Sequence, residues 1–350
     1  MTYCHRRPLS YALILAALAS PACDDLDAPE PASVEWRGIG GYPPLNTSKL
    51  LNTDLSAVDT LGAVLAGVRL VSVEVKRGTH FYPVQLSTLA AEAGELVGEA
   101  MFPIGATAVA GDDFLQSIWT FQVGGPFYTS VEARLIDMET ADDAGLYEDV
   151  LTPDPITHPR KLDPLRWVYT FMYVDGANLF NVCESDNHVG ARMVIFGDIL
   201  VNKSTGDIDA RPNTLQFGCL TSAVGKAALW GYAPDSPSLA SVTLEEFETS
   251  TRMVRADYCA DGTSYTAVGQ VISMSDRWGI NQYANGHTTE AAWKAGQGAT
   301  CLRRKRLDHA DLKAPLVCPD LHEIPLCGTD SALGSRLLAG DDDMWTKIPP

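Results

Sequence analysis

The sequence predicts a β-rich α+β protein, with an antiparallel-sheet N-terminal domain followed by an α+β domain stapled by disulfides. Two observations predict this class. Short runs of alternating apolar and polar residues, separated by glycine and acidic turns, recur over residues 68–137, as in antiparallel sheets. After Trp167 the chain contains apolar residues at the three- and four-residue spacing of a helix, and it contains six cysteines. Because 46% of the residues are apolar and the chain has 350 residues, it can bury a core and is long enough for two domains.

Residues 1–22 have the features of an export signal. Two arginines precede an apolar stretch that is too short to span a bilayer, and small residues come directly before Cys23. Lipoprotein processing requires a cysteine at this point, because its thiol receives the lipid. We therefore predict export to the cell envelope and attachment to a membrane through a lipid on Cys23. Cleavage after Ala22 without acylation is the alternative, and it would give a secreted or periplasmic soluble protein.

Residues 23–44 combine acidic side chains with prolines, which predicts a disordered tether. We assign residues 45–140 to the β-rich domain. At its start, leucines recur at a five-residue spacing that resembles a pentapeptide-repeat coil, and a leucine-rich edge of the β domain is the alternative. The predicted strands are Val68–Val75, His80–Leu86, Glu95–Phe102, Phe114–Val123 and Ser130–Asp137. Leu86–Val97 is alternatively a short helix.

An Asp- and Pro-rich linker is predicted over residues 141–166, and the second domain over residues 167–310. Its first strand, Trp167–Val174, is apolar on both faces and is expected to be buried. A helix is predicted within Cys219–Leu229. Thr243 and Glu246 have the spacing of a capping box, and the apolar stripe that follows predicts a helix reaching Tyr258, with Gly262 near its end. A further helix-like segment ends at Cys301, and residues 311–350 are expected to be an irregular tail with a loop between two cysteines.

The run RMVRADYCADGTSYTAVGQVISMSDRWG, followed by TEAAWKAGQGATCL, resembles the ADYC domain, a family of exported bacterial proteins that are often predicted lipoproteins. The resemblance extends back to about Trp167. It implies export but no particular reaction. Members of this family often have cysteines where this chain has Ala227 and Ser250, which implies a disulfide that is absent here, and usually have glycine where it has Ala260.

Of the eight cysteines, Cys4 is expected to be lost with the signal and Cys23 to be acylated, which would leave six. In an oxidising compartment an even number favours disulfides. From order and proximity we predict Cys183–Cys219, Cys259–Cys301 and Cys318–Cys327, with exchange of partners between the first two as the alternative. A zinc site formed by Cys318, His322 and Cys327 is a weaker alternative, because there is no CxxC pair and a fourth ligand is missing. No cofactor is predicted.

The candidate catalytic residues are Asp257, Glu290 and His287, since two carboxylates and an imidazole could perform general acid and base chemistry if they converge. Structural roles for these residues are favoured, because no nucleophile elbow, phosphate loop or HExxH motif is present. We therefore expect a non-catalytic envelope protein that binds a protein or a glycan, with Trp278 and Trp293 as aromatics that it could expose. An extracytoplasmic hydrolase using Asp257 and Glu290 is the alternative.

The charge of the chain bears on its partners. There are 26 basic and 44 acidic side chains, and removal of the signal takes away two arginines and no acids, so the net charge changes from −18 to −20. This balance argues against nucleic acid and against anionic membrane surfaces as partners.

Overall fold

Strands dominate the computed structural model of the protein, which describes residues 49–51, 53, 55–124, 129–146, 163–175, 178–185, 189–239, 242–266, 269–270, 272–281 and 287–349. The strands up to residue 181 are β1 (Ala57–Asp59), β2 (Val68–Arg77), β3 (His80–Pro83), β4 (Ala90–Glu92), β5 (Glu95–Phe102), β6 (Gly105–Ala110), β7 (Ile118–Val123), β8 (Thr129–Thr140), β9 (Trp167–Asp175) and β10 (Asn178–Asn181). The later strands are β11 (Met193–Val201), β12 (Ile208–Cys219), β13 (Ser273–Asp276), β14 (Thr288–Lys294), β15 (Gly298–Leu302), β16 (Leu316–Val317), β17 (Glu323–Ile324) and β18 (Met344–Ile348). The α-helices are α1 (Ala223–Ala227), α2 (Leu244–Arg255) and α3 (Asp330–Ala339). A π-helical turn continues α1 over Ala228–Tyr232, and short 3-10 turns lie at Leu86–Thr88 and Gly111–Phe114.

The largest sheet is antiparallel and coils round on itself. Its strand order is β1-β12-β11-β9-β8-β7-β2-β3, and β10 pairs with the second half of β9. Trp119 on β7 contacts Phe171 on β9 and Phe217 on β12, with ring centroids 5.4 and 6.5 Å apart. Because β7 and β12 are four positions apart in the sheet, they can meet only if the sheet curves, as strand twist allows. Its inner face therefore encloses an aromatic core.

The large sheet separates two hydrophobic cores. Successive side chains on β9 and β11 alternate between them, as the two-residue period of a strand requires. Tyr169 and Ile195 lie in the core inside the coiled sheet, whereas Val168 and Phe196 lie in an outer core with the helices and the second sheet. The predicted strand over Trp167–Val174 is thus confirmed, and its first half is buried on both faces.

A three-stranded sheet, β4-β5-β6, packs against the large sheet. The Tyr169 hydroxyl donates to the Gly94 carbonyl (2.7 Å) and accepts from the Leu96 amide (3.0 Å). Gly197 on β11 lies so close to this sheet that a Cβ would come within 2.4 Å of the Ala91 carbonyl oxygen, so only glycine fits there. The helix considered for Leu86–Val97 is wrong, because most of that segment forms the β4–β5 hairpin.

Helix α2 begins where its sequence predicts. The Thr243 hydroxyl accepts from the Glu246 amide (3.2 Å), and the Glu246 carboxylate accepts from the Thr243 amide (2.6 Å), which completes a capping box. The helix ends sooner than predicted. Ala256 adopts the left-handed conformation (φ 53°) directly after Arg255, so Gly262 lies beyond the helix end in the following loop.

The second sheet has the order β13-β18-β14-β15 and corrects two predictions. The helix-like segment ending at Cys301 is a hairpin of β14 and β15. Ala291 belongs to the outer core and Ala292 to a small third core, so β14 is buried on both faces and lacks the alternation that identifies a strand. The C-terminal segment is not irregular, because β18 is buried along its whole length between β13 and β14.

The predicted boundary over residues 141–166 does not separate two sheets. Strand β8 on one side of it pairs with β9 on the other, and β1 pairs with β12, so one sheet contains strands from both predicted domains. All described residues belong to one compact unit. For residues 57–70, the expectation of a pentapeptide coil is also incorrect, since β1 is an edge strand of the large sheet, in line with the alternative. The signal, Cys23, the tether and residues 147–162 lie outside the described residues.

Three disulfides link the cysteines beyond Cys23, and only one of the predicted pairs is correct. Cys183–Cys219 is confirmed. The other two pairs are Cys259–Cys318 and Cys301–Cys327 rather than Cys259–Cys301 and Cys318–Cys327. The tail returns to the second sheet, and this brings its cysteines beside partners 59 and 26 residues away in sequence. Three disulfides indicate an oxidising, extracytoplasmic environment. In the part of the chain described above, no helix has both the length and the apolar character needed to cross a membrane.

Candidate functional site

The tetrapeptide Ala256–Cys259 lies where α2, the second sheet and the tail meet. Ala256 ends the helix. The Tyr258 carbonyl accepts from the Ala299 amide on β15 (3.0 Å), and Cys259 is bonded to Cys318. Ala260 has a positive φ of 54°, a conformation that glycine adopts more readily than alanine. Each of these residues therefore has a structural role.

Glu290 on β14 is bound by Arg306 and Tyr258. Arg306 donates from Nε to Oε1 and from Nη2 to Oε2, both at 2.9 Å, and the Tyr258 hydroxyl donates to Oε1 at 2.7 Å. All three side chains are fully buried. The guanidinium also donates to the carbonyls of Met253 and Val254 at the end of α2, both at 2.9 Å. A bidentate ion pair thus also caps the helix.

Tyr258 remains a neutral hydrogen-bonding group in this cluster. Burial, reinforced by the neighbouring Glu290 carboxylate, raises the pKa of Tyr258 well above its usual value. Its hydroxyl donates to Glu290 and accepts from the Arg306 amide (2.9 Å). Both hydrogen-bonding functions of the phenol are therefore used within the protein.

Asp257 fixes the turn after the helix. Its carboxylate accepts from Arg252 Nη1 (2.9 Å) and from the amides of Asp261 (3.1 Å) and Gly262 (3.0 Å). Burial raises the pKa of Asp257, and the nearby arginines Arg252 and Arg255 oppose this effect without cancelling it. The side chain is inaccessible to solvent.

The three candidate catalytic residues do not form one open cleft. Asp257 and Glu290 are fully buried and are held by different arginines, Arg252 and Arg306. His287 interacts elsewhere, with Nδ1 2.8 Å from the Ser273 hydroxyl. The carboxylates are thus placed as structural groups.

The proposed zinc ligands are likewise committed to other contacts. Cys318 and Cys327 are in different disulfides, with Cys259 and Cys301. His322 Nδ1 lies 2.6 Å from Asp320 Oδ1. Among the described residues, no group of three or more His, Cys, Asp or Glu side chains is arranged to hold a metal ion.

The two tryptophans considered as exposed aromatics are not on an open surface. Trp293 is fully buried and stacks on Tyr258, with ring centroids 5.6 Å apart. Trp278 is half-buried between Tyr232 and Arg277. Neither therefore provides a flat aromatic platform for a sugar ring.

A groove opens at one end of the coiled sheet, beside the Cys183–Cys219 disulfide, and sequence reasoning did not identify it. Its apolar part has a volume of about 340 Å³, and its floor is formed by Val68, Phe121 and Ala133. A wider polar part of about 540 Å³ adjoins it and includes Lys203. The two parts share three lining residues, which are Thr53, Asn181 and Val182. Strand pairing brings these distant positions together, so no local motif could have identified the groove.

Comparison with known protein families identifies the domain to which most of the described structure belongs. Residues 111–308, more than half of the chain, match the ADYC domain. The match begins well before Trp167, so it includes β7 and β8 as well as the α2 region. It therefore crosses the predicted domain boundary, as the large sheet does. No curated protein and no solved structure matches the chain.

Proposed function

Because this chain belongs to the ADYC domain family, we propose that it is a non-catalytic protein of the bacterial cell envelope that binds a protein or a glycan. The observation that carries the proposal is that the polar side chains of the tetrapeptide are bonded within the protein and are closed to a substrate. Asp257, Tyr258 and Cys259 are all buried and bonded within the protein. A catalytic role for the tetrapeptide would need a group that a substrate can reach. The tetrapeptide instead supports a rigid scaffold whose ligand contacts lie elsewhere.

The proposed location combines an extracytoplasmic compartment with a lipid anchor. The disulfides support the compartment. The sequence around Cys23 supports the anchor, because small residues precede this cysteine and an acidic, proline-containing stretch follows it. The lipid would hold the folded part near a membrane, and the acidic surface would keep it from adhering to anionic headgroups.

The anchor is tested by metabolic labelling with an alkyne palmitate in a bacterium that processes lipoproteins. The wild-type chain is expected to carry the label and to sediment with membranes. The Cys23→Ser variant is expected to lose the label and to be recovered in a soluble fraction. An unlabelled wild-type protein, or a variant that retains the label, would refute the anchor.

The binding function is tested with purified full-length protein and defined envelope components, namely peptidoglycan fragments, surface polysaccharide and purified envelope proteins. Calorimetric titration is expected to show saturable binding to one of these classes. Mass spectrometry of the recovered ligand is expected to show an unchanged mass. Turnover of the ligand would contradict the non-catalytic assignment, and failure of every class to bind would contradict the binding assignment.

The hydrolase alternative lacks support from the geometry. A general acid or base must come within hydrogen-bonding distance of its substrate. Asp257 and Glu290 are both closed off from solvent, and the arginines that bind them are required to offset the cost of burying their charge.

A further inference from the structure

We propose that the groove at the end of the coiled sheet binds a single-chain amphiphile with an anionic headgroup, with the acyl chain in its apolar part and the headgroup near Lys203. The two parts of the groove differ in chemistry and share lining residues, so one elongated molecule can contact both. This ligand goes beyond the protein or glycan binding proposed above.

The apolar part continues the interior of the coiled sheet. Phe121 on β7 lies above the enclosed Trp119, with ring centroids 6.3 Å apart, and Ala133 faces inward on the neighbouring strand β8. Val68, Phe121 and Ala133 are each at most 3% exposed, although they form the floor of an open groove. An acyl chain placed here would extend a hydrophobic core that already exists, and each methylene that it buries would favour binding.

The rim of the apolar part also exposes hydrophobic side chains. Val123 ends β7 at the rim and is 37% exposed. The adjoining β9–β10 hairpin exposes Leu179 (54%) and Phe180 (42%), and Phe180 stacks on the groove residue Tyr173. Clustered exposed apolar residues beside a pocket are typical of a ligand entrance.

The polar part supplies a cation. Lys203 is exposed in the turn between β11 and β12, and its ammonium donates to the uncharged Thr53 carbonyl (3.2 Å). Within the described residues it has no carboxylate partner, whereas the neighbouring Lys49 is paired with Glu184. In a chain of net charge −18, a lysine that no described carboxylate pairs with, at the end of an apolar groove, favours one anionic group at this position rather than an anionic surface.

A glycan or a neutral peptide fits this groove less well. The floor residues Val68, Phe121 and Ala133 offer no side-chain hydrogen-bonding groups to hydroxyls, and only Thr53, Tyr173 and Asn181 among the ten lining residues do. A polar molecule lying on the floor would therefore leave most of its hydrogen bonds unmade. An acyl chain has no such requirement, and a carboxylate or a phosphate would satisfy Lys203.

The test uses the full chain with Cys23→Ser, so that its own N-terminal lipid cannot occupy the groove. Calorimetric titrations with dodecanoate, dodecyl phosphate and 1-dodecanol separate a carboxylate head, a phosphate head and an uncharged head. We expect saturable 1:1 binding of at least one anionic probe, and at least tenfold weaker binding of dodecanol. Binding of either anionic probe supports the proposal.

Two variants and two matched controls assign the site. Lys203→Glu is expected to weaken the binding of the anionic probe at least tenfold and to leave the affinity for dodecanol unchanged. Val123→Asp is expected to weaken the binding of every probe that the parent protein binds. The controls are Lys76→Glu, an exposed lysine towards the far end of β2, and Val71→Asp, a valine on the same strand that is 42% exposed and outside the groove. Both controls should bind like the parent, and melting curves verify that every variant is folded.

The proposal is overturned if no probe binds, or if Val123→Asp and Val71→Asp have the same effect. The position of the headgroup is overturned if Lys203→Glu and Lys76→Glu bind the anionic probes equally well.

Discussion

Glu290→Gln separates a structural role for the Glu290–Arg306 pair from a catalytic one. The substitution preserves the size of the side chain and removes its charge. Arg306 would remain buried with a full positive charge opposite a neutral amide, and it could keep only part of its bidentate contact. The bonds from Arg306 to the Met253 and Val254 carbonyls would remain, but neither carbonyl carries a charge that offsets the guanidinium.

The expected loss of stability follows from the burial of the pair. Both side chains are 0% exposed, so solvent screening does not reduce their interaction. Removing one partner of such a pair typically costs about 3–5 kcal/mol, a large part of the roughly 5–15 kcal/mol by which a domain is stable. At about 2–4 °C for each kcal/mol, the melting temperature should fall by on the order of 10 °C.

Circular dichroism melting and urea denaturation of the full chain measure this effect. Glu323→Gln is the matched control, because Glu323 is exposed on β17 and the chemical change is the same. The double variant Glu290→Met, Arg306→Met should lose less stability than the sum of the two single variants, because it leaves no charge unpaired. If Glu290→Gln melts within about 2 °C of the wild type, the pair does not hold the fold and Glu290 again becomes a catalytic candidate.

Three further predictions concern the disulfides, the C-terminal strand and pH. A non-reducing peptide map should recover Cys183–Cys219, Cys259–Cys318 and Cys301–Cys327, and a Cys318–Cys327 peptide would contradict the path of the tail. Deletion of residues 344–350 should prevent cooperative unfolding in a melting experiment, because it removes a central strand whose large apolar side chains each contribute about 1.5–3 kcal/mol. Burial acts to raise the pKa of Glu246, but bonds from the Thr243 amide and from Arg277 outweigh it and lower that pKa. The ionised Glu246 carboxylate therefore contributes fully to the free energy of unfolding above pH 4.5, its ordinary pKa. This contribution is lost as the pH falls through the lower pKa of the folded state. Because Arg277 is 38% exposed, we expect Glu246→Ala to cost only about 1 kcal/mol near neutral pH and less in acid, and an equal loss in urea denaturation at both would refute this.

Local signals in the sequence predicted the elements that depend on local chemistry. Strand β2 alternates between buried and exposed residues, so its start at Val68 is clear from the sequence. The capping box at Thr243 depends on residues three apart and was located correctly. Cys183–Cys219 also followed from order along the chain.

The remaining features depend on contacts that are distant in sequence. The run of three acids at 341–343 is typical of an exposed segment, in line with the predicted irregular tail, yet Asp343 is fully buried and is bound by Lys294 and Arg277. Arg306 was missed because it ends a basic run, Arg303 to Arg306, that has the composition of a solvated surface. Only its partner on β14 distinguishes it from the other three, and that partner is 16 residues away.

The same contacts explain why a short tetrapeptide can identify a family without indicating a reaction. Ala256 reverses the backbone, Asp257 binds the amides of the next turn, Tyr258 joins the buried ion pair, and Cys259 fixes the tail. Changing any one of them would disrupt a helix end, a sheet and a disulfide loop that all meet there. Selection for folding alone would therefore keep these residues together. Residues that determine which ligand binds are under no such joint constraint. In this protein we expect them at the open end of the coiled sheet, where Val123 and Lys203 can be substituted without disturbing either large core.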